Sequence, residues 1–235
     1  NDLRKVLSYS LIDQVGFMVV GIGVGTELAL NGVAAHAFCH ILYKALLFMS
    51  LGSVLHMTGK IKATELGGLS KYMPLTSIFC MVGAASIAGL PFFNGFISKT
   101  MIIDAAATEH YSLAWLALMF ASASAIIIPG IKVPYLTFFG KDSGITTSEP
   151  PHNMVLAMGI TAFLCVFVGI IPSTLYSILP FPVTYEPYTI AHLVTKFQLL
   201  LFAAVACMYL MKSGMYPAEK KNIYLDADWF YRKGG

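Results

Sequence analysis

Long apolar runs, separated by short polar segments, dominate the sequence. Six of them are long enough to cross a bilayer, since a spanning helix needs roughly 20 mostly apolar residues. They cover about residues 5–25, 29–56, 74–108, 112–139, 153–179 and 190–211. The pattern predicts an all-α protein, a polytopic bundle of about six transmembrane helices.

The basic residues outside these runs are distributed very unevenly. Six spans leave seven polar segments, which alternate between two sides of the membrane. Side one comprises residues 1–5, 57–73, 140–152 and 212–235 and carries eleven Lys and Arg, whereas the short side-two loops near Glu27, Glu109 and Glu186 carry none. Loops rich in Lys and Arg stay in the cytoplasm. We therefore expect a multi-pass protein of the inner (plasma) membrane, with both ends of the chain cytoplasmic.

The composition agrees with a membrane location. Hydrophobic residues make up 57% of the chain, charged residues only 11%, and the mean hydropathy is +0.73; a soluble domain has about 25% charged residues. The net charge of +3 does not indicate a nucleic-acid partner. The four cysteines fall singly in four different runs, which favours small buried apolar residues over a metal motif or a disulfide framework. Because the chain begins at Asn1 without a methionine, we expect a fragment of a longer protein.

The third run contains an interruption. Gly89, Pro91, Asn94 and Gly95 occur in the stretch "SIAGLPFFNGFISK" in the middle of it. Proline lacks an N–H and its ring opposes a continuous helix, so the stretch predicts two half-helices, about 75–89 and 96–108. Free backbone groups are not tolerated in lipid, and broken helices at mid-membrane mark ion pathways in transporters. The alternative is a helix that is only kinked.

Three ionisable residues follow one another along the second run. His36, His40 and Lys44 are spaced four residues apart. Successive members drift by only ~40° around a helix and rise by ~6 Å, which gives a ladder about 12 Å long on one face. Histidine exchanges protons near neutrality, and ionisable groups deep in a membrane usually mark a pathway. The ladder therefore predicts a proton relay, although a single such histidine is more often an interhelical hydrogen-bonding contact.

Other ionisable residues also lie within the spans. Lys99, four residues after Gly95, is expected in the first turn of the second half-helix and to belong to the relay. Lys132, between two prolines, could join the relay or extend to the cytoplasmic surface, and Lys196 is expected to extend to the opposite surface. Asp13 could pair with a lysine or remain protonated. His56 and His192, near span ends, are expected at the membrane interface.

Other chemistries fit the sequence poorly. The segment "GIGVG" (residues 21–25) lacks the strand–loop–helix context of a nucleotide-binding loop and favours close helix packing. His36 and His40 lie on one helix, which disfavours them as the ligands of a haem. We therefore expect no metal, no cofactor and no catalytic residue in this chain.

Four segments resemble a known family. "DLRKVLSYSLIDQVGFMVVGIGVGT", "HAFCHILYKALLFMSLGSVLHMTG", "ELGGLSKYMPLTS" and "SIAGLPFFNGFISKTMI" occur in the order found in antiporter-like membrane subunits. Such subunits belong to respiratory complex I, to Mrp-type multisubunit cation/proton antiporters and to membrane-bound hydrogenases. The resemblance covers roughly residues 1–140. The later segments "PGIKVPYLTFFGKDSG", "ILPFPVTYEPYT" and "NIYLDADWFYRK" are most similar to the D-type subunit of Mrp antiporters.

The resemblance implies a division of the chain. Family members have two inverted repeats of five helices, each with one broken helix. Residues 1–139 would be part of the second repeat, 140–211 the C-terminal transmembrane helices and 212–235 a cytoplasmic tail. The central lysines of the family correspond to Lys44, preceded by the two histidines, and to Lys99.

The sequence departs from the family pattern at two places. Either Arg4 or Lys5 takes the place of a family lysine, because the family usually has Lys-Arg where this chain has Arg-Lys. Asp13 stands where serine is common. Arg4, Lys5 and Asp13 are therefore candidates for the relay or for ion pairing, as is Lys132.

The expected function is proton translocation within a multisubunit cation/proton antiporter. The alternative is a proton-pumping subunit of an NADH–quinone oxidoreductase of the complex I type or of a membrane-bound hydrogenase. A structural scaffold is a third possibility, which the spacing of the ladder disfavours. The expected partners are other membrane subunits, the lipid bilayer and protons, with Na⁺ left open and nucleic acid excluded.

Overall fold

The structure, a computed structural model, describes residues 2–213 and is an all-α bundle. Five helices are long and apolar enough to cross a membrane: α1 (Leu3–Val24), α2 (Glu27–Thr58), α5 (Ser112–Phe139), α6 (His152–Ile170) and α8 (Ile190–Lys212). Two shorter helices, α3 (Pro74–Ala88) and α4 (Asn94–Thr108), form the broken third span, and α7 (Pro172–Tyr176) is a single turn. The predicted fold class is confirmed. From residue 214 onward, the predicted tail lies outside the residues that the structure describes.

The central element is α2, which packs against α1, α3, α4 and α6. It begins where the Thr26 side chain accepts a hydrogen bond from the backbone N–H of Ala29 and ends at Gly59, whose left-handed conformation closes the last turn. Because it is surrounded by other helices, its polar residues are buried along with its apolar ones. This position takes the histidine ladder out of contact with lipid.

The third span is interrupted as predicted. The first half-helix α3 ends at Ala88, and Gly89 follows in the left-handed region with φ 69° and ψ 42°. Phe92 also has a positive φ of 72° before α4 begins at Asn94. The second half-helix thus starts two residues earlier than predicted, and Asn94 and Gly95 belong to its first turn. A Cβ on Gly95 would collide with the carbonyl oxygen of Ser86, so only glycine lets the half-helices approach this closely.

Protein covers one side of the interruption. The ring of Tyr188, in the segment between α7 and α8, stacks on Phe92 and Phe96 with centroid distances of 5.6 and 5.5 Å. The Tyr188 hydroxyl donates to the carbonyl oxygen of Gly169 at the end of α6. Non-helical backbone is tolerated at membrane depth only when it is buried in protein or lines a water-filled cavity. These contacts supply that burial on one side of the break.

The fourth and fifth apolar runs deviate from a single regular α-helix, each in its own way. Within α5, residues Ile126–Lys132 and Tyr135–Phe139 form π-helical turns. The fifth apolar run does not give one helix to residue 179, because α6 ends at Ile170 and Pro172 starts the short α7. Proline restricts the residue before it to extended backbone. The predicted boundary at 179 is therefore wrong, and the chain leaves the helix nine residues earlier.

Large apolar side chains cover the outer surface of the bundle. Leu113 and Ile190 are 81% and 82% exposed, and Phe120 and Phe202 are 69% and 70% exposed. An apolar outer surface of this kind is costly in water and suits the hydrocarbon of a bilayer.

Two loops join on side one. The Glu149 carboxylate accepts hydrogen bonds from Leu75 N–H at 2.6 Å and from the Thr76 hydroxyl at 2.7 Å, at the first turn of α3. A carboxylate at this position satisfies the unpaired N–H groups of a helix start and matches the helix dipole. Nearby, Lys71 and Asp142 approach to 3.5 Å. The backbone N–H of Gly144, followed by the charge of Lys71, holds the pKa of Asp142 below its usual value.

Candidate functional site

The ladder on α2 is present and buried. His36, His40 and Lys44 are 0%, 8% and 4% exposed. The two histidine rings are stacked with centroids 6.3 Å apart, in agreement with the rise over four helical residues. Tyr43 closes the side of the ladder, with its ring edge-on to His40 at 5.4 Å. Three groups able to exchange protons therefore lie on one face of the central helix.

Hydrogen bonding leaves part of the ladder unsatisfied. His36 Nδ1 lies 2.9 Å from the Ser98 hydroxyl of α4. Among the buried polar atoms of residues 2–213 that have no hydrogen-bond partner are Nε2 of both histidines and Oδ1 of Asn94. Buried polar groups are normally hydrogen-bonded to protein or water. Each histidine Nε2 could exchange a hydrogen bond or a proton with water, whereas Asn94 Oδ1 could only accept a hydrogen bond.

Lys44 is held by the first helix. Its ammonium donates a short hydrogen bond to the hydroxyl of Ser10 on α1. One turn further along α1, the Gln14 amide oxygen accepts from the Tyr43 hydroxyl at 3.0 Å. Residues three and four apart share a helix face, so Ser10, Asp13 and Gln14 form a polar stripe on α1 that faces the ladder.

The charge of Asp13 acts on both predicted lysines. Its carboxylate accepts a hydrogen bond from the Gln14 side chain at 2.7 Å and is half-buried. Its charge interacts with those of both Lys99 and Lys44. Among the described residues it makes no ion pair within 4 Å with either lysine, so it acts on both through space.

Lys99 is almost fully buried beside the break. It lies in the second turn of α4 rather than the first, because α4 starts at Asn94. Its ammonium donates to the carbonyl oxygen of Ile87 at 2.6 Å and lies 5.1 Å from the centroid of the Phe17 ring. The sequence prediction placed this lysine at a helix N-terminus, which is wrong. The side chain instead reaches the carbonyl end of α3, where the helix dipole favours a cation.

Lys196 does not extend to the membrane surface. It is 6% exposed, and its Nζ lies 3.1 Å from where a Cβ on Gly89 would be. The prediction of an extended side chain is wrong because α8 packs against the broken span and the π-helical part of α5, through Ala203, Ala88 and Ile126. This packing turns the lysine toward the break.

The structure contains a second polar group, at the side-two end, that the sequence analysis did not predict. Asp104 of α4 makes an ion pair with His192 of α8 at 2.8 Å and accepts a short hydrogen bond from the Tyr185 hydroxyl. The Tyr185 and His192 rings stack at 5.6 Å. His192 lies in the first turn of α8. Asp104 could have been found from the sequence, because it is an acidic residue in an apolar run, five residues after Lys99.

The remaining predicted residues lie at the start of α1, in α5 and in the break. Arg4 and Lys5 are exposed at the start of α1, and Arg4 pairs with Asp2 at 3.6 Å. Lys132 is half-buried in the π-helical part of α5. Pro91 is buried within the break, and Asn94 donates to the carbonyl oxygen of Cys39 at 3.4 Å. The structure thus brings Lys44, both histidines, Lys99 and Asp13 together. Arg4 and Lys5 lie outside this group.

In the described part of the chain, no group of three or more His, Cys, Asp or Glu side chains could hold an ion. What the site offers is a series of proton-exchanging groups, from Ser10 and Lys44 through the histidines to Ser98 and Lys99.

Comparison with known proteins agrees with these observations. Residues 1–127 match the family described as NADH:quinone oxidoreductase/Mrp antiporter, transmembrane. The chain is 35% identical over 188 residues to the L subunit of the F(420)H(2) dehydrogenase of Methanosarcina mazei, covering 74% of this chain and 28% of that protein. It is 34% identical over 184 residues to the A/B component of a probable K(+)/H(+) antiporter of Rhizobium meliloti, covering 73% of this chain and 18% of that protein.

A solved structure extends the match to the whole bundle. A chain of the membrane-bound sulfane sulfur reductase, an archaeal respiratory membrane complex, superposes with a TM-score of 0.72 at 26% identity. The match covers 100% of this chain and 40% of that chain. The protein described here belongs to the antiporter-like membrane subunits of the NADH:quinone oxidoreductase/Mrp family. It is a multi-pass membrane protein, and it spans less than a third of the length of the two curated relatives named above.

Proposed function

We propose that this chain moves protons across the membrane through Lys44, His40, His36 and Lys99, as part of a multisubunit cation/proton antiporter. The observation that carries the proposal is the buried polar axis from α1 through α2 to the break between α3 and α4. Charged groups at membrane depth cost free energy, at least ~2.5 kcal/mol each at the helix centre. Their concentration on facing helices is therefore best accounted for by transport.

The path is supported by the order of the contacts. Ser10 and Lys44 are hydrogen-bonded at one end, and His36 contacts Ser98 one residue before Lys99 at the other. Between them, the unpartnered Nε2 atoms of the two histidines offer positions for bridging water. Bridging waters are nearly as favourable as direct hydrogen bonds, so water can complete the path without a further side chain.

The parent complex is proposed from the similarity of the later segments to the D-type subunits of Mrp antiporters. The probable K(+)/H(+) antiporter relative fits this assignment. The F(420)H(2) dehydrogenase relative favours the second candidate, a proton-pumping subunit of a redox complex. In that case the redox centres belong to other subunits, and the relay in this chain is unchanged. Neighbouring genes for antiporter subunits, or for iron–sulfur and quinone-site subunits, discriminate between the two.

The central test replaces Lys44. If Lys44 carries protons, Lys44→Arg is expected to abolish proton-linked transport although it keeps the positive charge, because a guanidinium does not release its proton at any working pH. Lys44→Ala is expected to fail as well. Transport is measured in vesicles that contain the whole complex, with the amount of assembled complex determined separately. Wild-type transport by Lys44→Arg would make Lys44 a structural ion-pair residue.

A further inference from the structure

Two lysines from different helices reach the same buried helix end. Lys99 of α4 donates to the carbonyl oxygen of Ile87, and Lys196 of α8 lies against Gly89, two residues further on. Both side chains are buried, at 1% and 6% exposure. The carbonyl end of α3 carries partial negative charge and attracts cations. Lys196, which comes from the last span, thus reaches the same helix end as Lys99, with its Nζ 3.1 Å from where a Cβ on Gly89 would be.

The two amines share one favourable environment. They are close enough for their charges to interact, and holding two like charges in an apolar interior is costly. Apolar residues that include Ala88, Leu199 and Leu200 pack around this part of α8. A proton passed between two amines at this one helix end keeps the positive charge in the same favourable environment, a property that proton exchange needs and packing does not.

A route from Lys196 to the side-two surface follows α8. His192 lies four residues before Lys196, so both side chains project from the same helix face. His192 pairs with Asp104 at 2.8 Å, and these two side chains are 24% and 26% exposed. Tyr185 holds the pair through its hydrogen bond to Asp104 and its stacking on His192. One helical turn thus separates the buried amine from partly exposed ionisable groups.

We propose that Lys196 is a relay residue that takes the proton from Lys99, and that His192 and Asp104 form the outlet to side two. This inference rests on the proposed relay through Lys99. In the transfer, an N–H bond of the Lys99 ammonium breaks and one forms on the neutral Lys196 amine, directly or through one water. Lys99 is left neutral, the positive charge moves to Lys196, and no electron is transferred. The proton then passes to the His192 imidazole and on to bulk water.

The test compares four replacements at residue 196 and one control in the whole complex in vesicles. Lys196→Met keeps the volume and removes the amine, and we expect transport to fall by at least about tenfold. Lys196→His is expected to restore part of the rate with an altered pH profile, because imidazole binds and releases protons. Lys196→Arg and Lys196→Gln are expected to transport no faster than Lys196→Met. Lys212→Met, at the exposed end of the same helix, is expected to transport at the wild-type rate.

The outcomes separate relay from structure. A purely structural cation at the end of α3 would be replaced better by Arg than by His, so wild-type transport by Lys196→Arg would overturn the inference. Wild-type transport by Lys196→Met would also overturn it. If Lys196→Met fails to assemble, the His and Arg variants decide. Lys99→Met is measured in parallel. An inactive Lys99→Met together with an active Lys196→Met would refute only the proposed outlet. An active Lys99→Met would refute the proposed function itself.

Discussion

At the scale of single residues, His40 is held differently from the two lysines of the relay. Each lysine has a defined partner, Ser10 for Lys44 and the Ile87 carbonyl for Lys99. His40 has an unpartnered Nε2 and contacts its neighbours through its ring. A group held mainly by stacking leaves room for water when it is removed, whereas loss of a lysine removes the charge itself.

This difference gives a prediction for the ladder. His40→Ala is expected to retain a measurable fraction of transport, because water can bridge the missing position, whereas Lys44→Ala is expected to retain none. The two variants are compared by initial rates of proton-linked transport in vesicles, normalised to assembled complex. An inactive His40→Ala that assembles normally would mean that the imidazole itself is required and that water cannot replace it.

Sequence spacing predicted the ladder but not the surroundings of Lys196. The positions of His36, His40 and Lys44 depend on one helix, whose geometry follows from local periodicity. The direction of Lys196 depends on how α8 packs against a break more than ninety residues earlier in the chain, and an apolar run carries no signal for that rotation. The pairing of Asp104 with His192 is likewise a contact between two elements.

At the scale of elements, the broken span depends on how its first half is held at the side-one end. Glu149, in the loop before α6, caps the start of α3 through Leu75 and Thr76. Because α3 has only 15 residues and lacks a side-chain cap of its own, this distant carboxylate replaces the local cap that sequence patterns would normally provide. Its role could not be predicted from the sequence around residue 74.

The cap leads to a stability prediction. Glu149→Ala is expected to destabilise the folded complex by about 1 kcal/mol, the usual value of a helix cap, because Leu75 N–H and the Thr76 hydroxyl lose their acceptor. The measurement is the thermal unfolding of the purified complex in detergent. Glu186→Ala, an exposed glutamate in a side-two segment, is the matched control and is expected to leave the midpoint unchanged. Equal midpoints for Glu149→Ala and wild type would contradict the capping role.

At the scale of the whole molecule, the apolar runs predicted most of the architecture. Four runs became single long helices, and the third became two half-helices, as the Gly and Pro residues indicated. The run near 153–179 was misjudged because hydropathy continues past Pro172 while the helix does not. Apolar composition follows burial and lipid contact, whereas helix ends follow backbone chemistry.

The orientation in the membrane can be tested with the same molecule. The four native cysteines are buried, so each can be replaced by alanine or serine to give a background for single-cysteine labelling. Glu65→Cys, in the loop between α2 and α3, is expected to react with an impermeant reagent only from the cytoplasmic side, because side one carries the Lys and Arg excess. Glu109→Cys is expected to react only from the opposite side. Labelling of residue 65 from outside alone would refute the six-span topology.

The π-helical turns of α5 have an evolutionary consequence. A π-helical turn holds one more residue than the α-helical turn it replaces, so Ile126–Lys132 is equivalent to an insertion accommodated without a loop. One residue corresponds to about 100° of rotation in an α-helix. A homologue without the extra residue would carry its counterpart of Lys132 on a different side of the same span. Gains and losses of single residues here would therefore change the direction of this lysine during divergence while the bundle kept its shape.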